Sequence, residues 1–206
     1  VSGLPWGGSN VVRADFPGGG SSYTAGVNLF PPQAGNDRPR EMWVEVWVRF
    51  DDQWRTRGDH KTLFLLEGNN PAGGNRWEIK AGLFGNTIRG QIQNGAEHEE
   101  TGCLPPVGED ATCSAADRPD LESFLWDGQW HRLRWHVEMS SSPNAQDGTL
   151  EAWMDGRKFL ESRGIDTNST AGSFFRYMAL GRNADPVQAA SIYWGAVTIH
   201  TSSPGW

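Results

Sequence analysis

Residues 40–50 read REMWVEVWVRF, and this stretch decides the fold prediction. Successive side chains of a β-strand point to opposite faces of its sheet. One set of alternate positions is apolar and is expected to face a core: Met42, Val44, Val46, Val48 and Phe50. The other set mixes two tryptophans with charged residues: Glu41, Trp43, Glu45, Trp47 and Arg49. The strand therefore has a core face and a second face whose composition suggests a function.

The same division recurs in three other predicted strands, at residues 87–93, 130–139 and 149–155. Their core-facing positions are predicted to include Leu133, Trp135, Val137, Leu150, Ala152 and Met154. Their opposite positions supply the rest of the second face: Gln91, Gln93, Arg132, Arg134, His136, Glu151 and Trp153. Side by side, such strands would form a polar sheet that carries flat aromatic rings.

The spacing of turn residues predicts an all-β chain. The 206 residues include 26 Gly and 12 Pro, which separate many short alternating segments. This pattern is typical of an antiparallel two-sheet sandwich in a single domain. Asp155-Gly156 predicts a tight hairpin turn, and a second hairpin is expected around Asn86. Residues 1–9 are predicted to be an irregular arm, and residues 96–120 a long loop.

Charge and cysteine content limit the partners and the compartment. A formal net charge of −7 argues against a binder of nucleic-acid phosphates. No apolar run approaches the ~18 residues that span a membrane. Cys103 and Cys113 bracket a loop-like, Pro-rich segment, which favours a disulfide over a redox or metal pair. A disulfide would indicate an extracellular setting.

The second face is suited to carbohydrate. The C–H face of a sugar ring packs on an aromatic ring, and its hydroxyls bind Arg, Glu and Gln side chains. We therefore expect an extended glycan to bind one concave surface built from Trp43, Glu45, Trp47, Gln91, Gln93, Arg132, Arg134, His136, Glu151 and Trp153. The alternative is a solvated outer sheet whose tryptophans cover the stems of charged residues.

Residues 127–161, DGQWHRLRWHVEMSSSPNAQDGTLEAWMDGRKFLE, resemble part of the concanavalin A-like lectin/glucanase superfamily. Trp130-His131, His136-Val137 and the run from Glu151 to Gly156 carry the resemblance, which is closest to polysaccharide lyases of the heparin and glucuronan type. Residues 180–200 also resemble the closing strands of that fold. The resemblance implies a jelly roll of two curved antiparallel sheets, with glycans held on the concave one.

The resemblance also implies candidate lyase residues. A lyase must neutralise a uronate carboxylate and remove the C5 proton, for which His136, Gln91, Arg132, Arg134 and Tyr193 are the candidates. The closing motif Tyr-x-Lys-x-Gly-x-Tyr of some relatives is absent from residues 191–200, which contain no lysine. We therefore expect glycan binding rather than catalysis, with lyase activity and a structural assembly subunit that contacts its own copies as alternatives.

Hydrolysis and metal binding receive less support. Glu41 and Glu45 share a face but are separated by ~13 Å of extended strand, whereas glycosidases need carboxyl groups ~5–9.5 Å apart. No cofactor or metal is expected. Related folds often carry a structural Ca²⁺, for which Asp51-Asp52 and Asp59-His60 are candidates, but their spacing does not define a site.

Overall fold

The computed structural model of the chain is an antiparallel β-sandwich. The residues that it describes are 4–8, 10–18, 23–24, 39–55, 60–67, 76–81, 88–94, 98–100, 125–168, 170–172, 174–184 and 186–206. Within them lie twelve strands and no helix. The described part of the chain accordingly offers no helix that could cross a membrane.

The strands divide equally between two sheets. They are β1 Val11–Phe16, β2 Tyr23–Thr24, β3 Glu41–Phe50, β4 His60–Glu67, β5 Arg76–Ala81, β6 Ile88–Asn94, β7 His98–Glu100, β8 His131–Glu138, β9 Gly148–Met154, β10 Arg157–Ile165, β11 Phe175–Ala184 and β12 Ala190–His200. Sheet A has the order β1-β12-β3-β8-β9-β10, and sheet B has the order β2-β11-β4-β5-β6-β7. All pairings are antiparallel, which confirms the predicted jelly-roll class.

The alternation in β3 gives the predicted core face. Every second residue of β3, from Met42 to Phe50, is at most 2% exposed. The predicted core positions of β8 and β9 are buried as well: Leu133, Trp135, Val137, Leu150, Ala152 and Met154. Sheet B contributes Phe175, Met178 and Leu180 to the same apolar cluster. Burial of each such large side chain stabilises the fold by about 1.5–3 kcal/mol.

The predicted turn between β9 and β10 is also confirmed. Asp155 has a φ of 51° and Gly156 a φ of 84°, so both central residues are left-handed. That conformation matches the twist of the flanking strands in a two-residue hairpin. Arg157 accordingly pairs with Met154 directly across the turn. The hairpin sets the register between β9 and β10, so that Lys158 pairs with Trp153 and Glu161 with Glu151.

One sequence expectation needs correction, and others concern residues outside the described part of the chain. The predicted loop at 96–120 contains a short strand, β7, which pairs with β6. Cys103 and Cys113 lie outside the described residues, as do Asn86 and Asp59. In the predicted arm, residues 4–8 form turns rather than strand, and Leu4 and Trp6 pack on the body of the sandwich.

Candidate functional site

The outer face of sheet A gathers eight of the ten predicted glycan-binding residues. The register pairs Trp43 with His136 and His136 with Glu151, and it pairs Glu45 with Arg134 and Arg134 with Trp153. Trp47 pairs with Arg132. Directly paired residues of an antiparallel ladder share a face. Strand parity therefore identified the composition of this face correctly.

The prediction of one surface for all ten residues is nevertheless wrong. Gln91 and Gln93 belong to β6, which lies in sheet B and pairs with β5 and β7. The two glutamines cannot line a common surface with the tryptophans of sheet A. The candidate site therefore has to be assigned to one sheet or the other.

His136 lies at the centre of a closed cluster on sheet A. Its Nδ1 is 3.0 Å from Oε2 of Glu151, and its Nε2 is 3.1 Å from Oε1 of Glu41. The ring also stacks on Trp43, with centroids 3.8 Å apart and planes within 12°. The side chain is buried. Both ring nitrogens are therefore already in contact with carboxylates of the same chain.

Glu151 is the anionic centre of this cluster. It is 2% exposed. Besides the His136 contact, its Oε1 accepts hydrogen bonds from Lys158 Nζ at 2.7 Å and Arg163 Nη2 at 2.6 Å. Burial by itself raises the pKa of Glu151, but hydrogen bonds from His136, Lys158 and Arg163 outweigh burial and lower that pKa to about 2. Glu151 is thus a paired structural carboxylate.

Trp206 packs over one end of the outer face of sheet A. The Trp206 ring packs edge-on against Trp43 and Trp153, with centroids 5.5 and 6.1 Å away. The Arg134 guanidinium lies 4.4 Å from the centroid of the Trp206 ring while its Nε donates to Glu45 at 2.7 Å. The Trp43 and Trp153 rings and the Arg134 charge are thus already in contact with residues of the same chain.

Trp6 closes the other end of the same face. Its ring lies 4.8 Å from that of Trp130 and 5.9 Å from that of Trp47. It sits directly on Gly195, where a Cβ atom would come within 2.1 Å of Cη2 of Trp6. A glycine is therefore required under this ring. The predicted open aromatic surface is instead largely a packed layer of partly exposed rings.

Tyr193, another of the candidate lyase residues, lies far from His136. It pairs with Arg49 in β3, whereas His136 pairs with Trp43. Six residues of extended strand separate Trp43 from Arg49, or roughly 20 Å. The Tyr193 ring instead packs under the Arg49 guanidinium, 4.1 Å from the ring centroid. The two residues cannot act together on one glycosidic bond.

The strand pairing of sheet B places a second set of polar residues on one face of that sheet. Met178 and Leu180 of β11 are buried and pair with Leu65 and Leu63, so these positions mark the core side. Leu65 pairs with Trp77, and Trp77 pairs with Ile92. The alternate positions of β5 and β6 fall on the opposite face of the sheet, and they pair as Arg76 with Gln93, Glu78 with Gln91 and Lys80 with Arg89.

The same rows continue into β4 and β11. In one row, Arg76 pairs with Leu66 of β4, and Leu66 pairs with Tyr177 of β11. In the next row, Glu78 pairs with Phe64, and Phe64 pairs with Ala179. Sequence reasoning included the glutamines but missed Arg76, Glu78, Lys80, Arg89 and Tyr177. The alternation of RWEIK at 76–80 carried the signal, because Arg, Glu and Lys alternate there with Trp and Ile.

The candidate Ca²⁺ residue Asp51 has a structural role. Its Oδ2 accepts a hydrogen bond from the Ser191 backbone N–H at 2.6 Å, which ties the end of β3 to β12. Within the described residues, no group of three or more His, Cys, Asp or Glu side chains is arranged to hold a metal ion. His60 is fully buried against Phe50 and Trp54.

Comparisons with solved structures agree on the fold. The endo-β-1,4-glucuronan lyase of the fungus Trichoderma reesei superposes with a TM-score of 0.62 at 16% identity, over 95% of this chain and 82% of its own. Alginate lyase vAL-1 from Chlorella virus gives 0.59 at 11% identity, over 92% and 84%. A variant of alginate lyase Aly36B in complex with an alginate trisaccharide gives 0.60 at 11% identity, over 94% and 82%.

The sequence itself decides the family. No curated protein matches the chain. A family model described as polysaccharide lyase matches residues 21–179, well over half of the chain. This match overturns the expectation of a carbohydrate-binding module without catalysis and supports the lyase alternative. The chain belongs to the polysaccharide lyase family.

Proposed function

We propose that the protein is a polysaccharide lyase that cleaves a uronate polymer by β-elimination on the polar face of sheet B. The family match supports the reaction, and the polar positions that pair across β5 and β6 support the choice of sheet. Residues 21–179 contain β2 and β4–β7 and the first half of β11, so every strand of sheet B contributes. Two of the six strands of sheet A, β1 and β12, lie outside the match.

The substrate class follows from chemistry and from the similar structures. Alginate and glucuronan, the polymers in the names of those lyases, consist of uronate sugars. β-Elimination removes the proton at C5, places the electron pair in a new C4=C5 double bond and expels the oxygen at C4, which is protonated. A cation or hydrogen-bond donor at the uronate carboxylate stabilises the charge that develops. No water or other reactant is consumed.

The residues at the sheet B positions match these requirements. Arg76, Lys80 and Arg89 supply positive charge, against one carboxylate at Glu78. Gln91 and Gln93 supply amide groups that can donate to a carboxylate. We assign the proton transfer to Tyr177, whose backbone lies two strand spacings, or roughly 10 Å, from that of Arg76. A sugar over Leu66 would lie between the two residues.

Sheet A does not offer an equivalent set. Both ring nitrogens of His136 face carboxylates, and Glu151 is held by two cations and a histidine. Trp206 lies over Trp43 and Trp153. The positive charges of this face, including Arg134, are already paired with carboxylates or seated on rings. A uronate polymer would have to displace these contacts.

A matched pair of tyrosine variants tests the proposal. Purified protein is given alginate and glucuronan, and the ultraviolet absorbance of the unsaturated uronate is followed. Tyr177→Phe should lower kcat by at least about 100-fold, since a positioned proton donor or acceptor contributes ~10²–10⁴. Tyr193→Phe, on the other sheet, should stay within about twofold of the parent, a change worth less than ~0.5 kcal/mol.

Two outcomes would contradict the proposal in different ways. If no uronate polymer yields unsaturated product with the parent protein, the assigned reaction is wrong. If Tyr193→Phe loses activity and Tyr177→Phe retains it, the reaction is right and the sheet is wrong. Circular dichroism of both variants shows whether the fold is intact in each case.

A further inference from the structure

Among the described residues, β1 is an edge strand of sheet A, and it carries exposed valines. β1 lies at the end of sheet A, and β12 is its one described neighbour. Val11 is 38% exposed and Val12 is 61% exposed, and Val197 on β12 is 40% exposed. These are three of the four large apolar side chains that are exposed in the described part of the chain. The edge thus combines exposed valines with an exposed charged pair, Arg13 and Asp15.

A groove follows this edge between the two sheets. It encloses about 520 Å³, and apart from Asn10 and Arg13 its walls are apolar: Val11, Val12, Ala14, Leu180, Trp194, Gly195, Ala196 and Val197. An unpaired edge strand presents free N–H and C=O groups that can pair with another strand. Edge strands in contact with water usually carry charges, an inward-pointing charge or a proline. β1 has two charges, Arg13 and Asp15, on its outer face, but its inward positions are apolar and its nearest proline, Pro17, follows its last residue.

The sequence of β1 is complementary to itself. In an antiparallel pair centred on Ala14, Arg13 of one copy lies opposite Asp15 of the other, and the reverse contact forms by symmetry. Arg13 and Asp15 share the outer face of sheet A, because they pair with Tyr193 and Ser191 of β12. Both are exposed, and they form a 2.6 Å ion pair within one chain. The same register sets Val12 opposite Phe16 of the second copy.

We propose that two copies of this chain associate through antiparallel pairing of their β1 strands, which joins two copies of sheet A into one continuous sheet. The interface is isologous, as expected for a two-fold dimer. Main-chain hydrogen bonds supply association, and the reciprocal Arg13–Asp15 contacts set the register. The exposed valines lose contact with water. The polar face of sheet B is left free in both copies.

Sedimentation velocity over a range of concentrations tests the dimer. The parent protein should sediment at twice the mass of one chain and dissociate on dilution. Val12→Lys places a charge on the edge and should weaken the dimer by at least about tenfold in Kd, or ~1.4 kcal/mol. The matched control is Val187→Lys, since Val187 is 48% exposed but lies outside β1 and β12. It should leave Kd unchanged.

A charge exchange tests the register. Arg13→Glu and Asp15→Lys should each weaken the dimer, because each places like charges opposite one another across the two-fold axis. The double variant restores opposite charges and should recover the parent Kd to within about threefold, or ~0.7 kcal/mol. A parent protein that remains monomeric at every concentration overturns the proposal. So does a dimer that is indifferent to Val12→Lys and to both single charge variants.

Discussion

Replacing Glu151 with Gln should destabilise the fold far more than the same change at Glu161. Both carboxylates accept hydrogen bonds from Lys158 and Arg163. Glu151 has a side chain that is 3% exposed and also contacts His136, whereas the side chain of Glu161 is 32% exposed. Each variant therefore removes one negative charge from the same ion-pair network, Glu151→Gln at a buried position and Glu161→Gln at a partly exposed one.

The pKa of Glu151 gives the magnitude. Its fall from an ordinary 4.5 to about 2 corresponds to about 3 kcal/mol of stabilisation of the charged form, at ~1.4 kcal/mol per pKa unit. Glu151→Gln should lower the free energy of unfolding at pH 7 by about that amount. Glu161→Gln should cost less than ~1 kcal/mol, as is usual for exposed ion pairs.

Urea unfolding followed by tryptophan fluorescence measures both costs. Because the pKa of Glu151 is lower in the folded state, its contribution is complete above pH 4.5 and disappears as the pH falls towards 2. The difference between parent and Glu151→Gln should shrink over the same interval. Equal costs for the two variants, or a difference that acid leaves unchanged, would refute the assignment of Glu151 as a buried structural carboxylate.

Three further predictions concern the rest of the chain. Gly195→Ala should displace the Trp6 ring and lower the free energy of unfolding by about 1–2 kcal/mol, because the lost ring pairs are worth ~0.5–1.5 kcal/mol each. In a double-mutant cycle with Trp6→Ala, Gly195→Ala should cause little further loss of stability, and fully additive losses would disprove the contact. Burial lowers the pKa of His60 to about 3, so as the pH falls the unfolded state binds a proton before the folded state does, and the parent should lose stability from pH 6.5 towards 4.5. His60→Phe should reduce this dependence of the unfolding free energy on pH, as measured by urea titrations at several pH values. An unchanged dependence would contradict the prediction. Cys103 and Cys113 should form a disulfide, consistent with an extracellular location, so thiol titration of the native protein should find no free thiol, and two reactive thiols would exclude the bond.

The core was predictable because its signal is local. In β3 the apolar positions alternate without interruption from Met42 to Phe50, and one buried face fixes the parity of a whole strand. The Asp155-Gly156 turn is equally local, since two residues with positive φ suffice to make it. Neighbouring residues alone determine both features.

The site could not be assembled from the sequence in the same way. Parity tells which face Gln91 occupies relative to Ile92, but not which sheet β6 joins. That depends on the pairing of β4 with β11, which lie far apart in the chain. Tyr177 comes into line with Arg76 and Gln93 only through three successive strand pairings. The contact between His136 and Glu41 likewise depends on the pairing of β8 with β3, which lie far apart in the chain.

Mass spectrometry of the products from a defined uronate oligosaccharide tests the central claim most directly. β-Elimination consumes no water, so the masses of the two products should sum to the mass of the substrate, and one product should carry the C4=C5 double bond. The account predicts this result with an oligomer of alginate or glucuronan. Products whose masses exceed that sum by one water would show hydrolysis, and intact oligomers of both kinds would show that the chain binds or ignores uronates without cleaving them; either result would contradict the account.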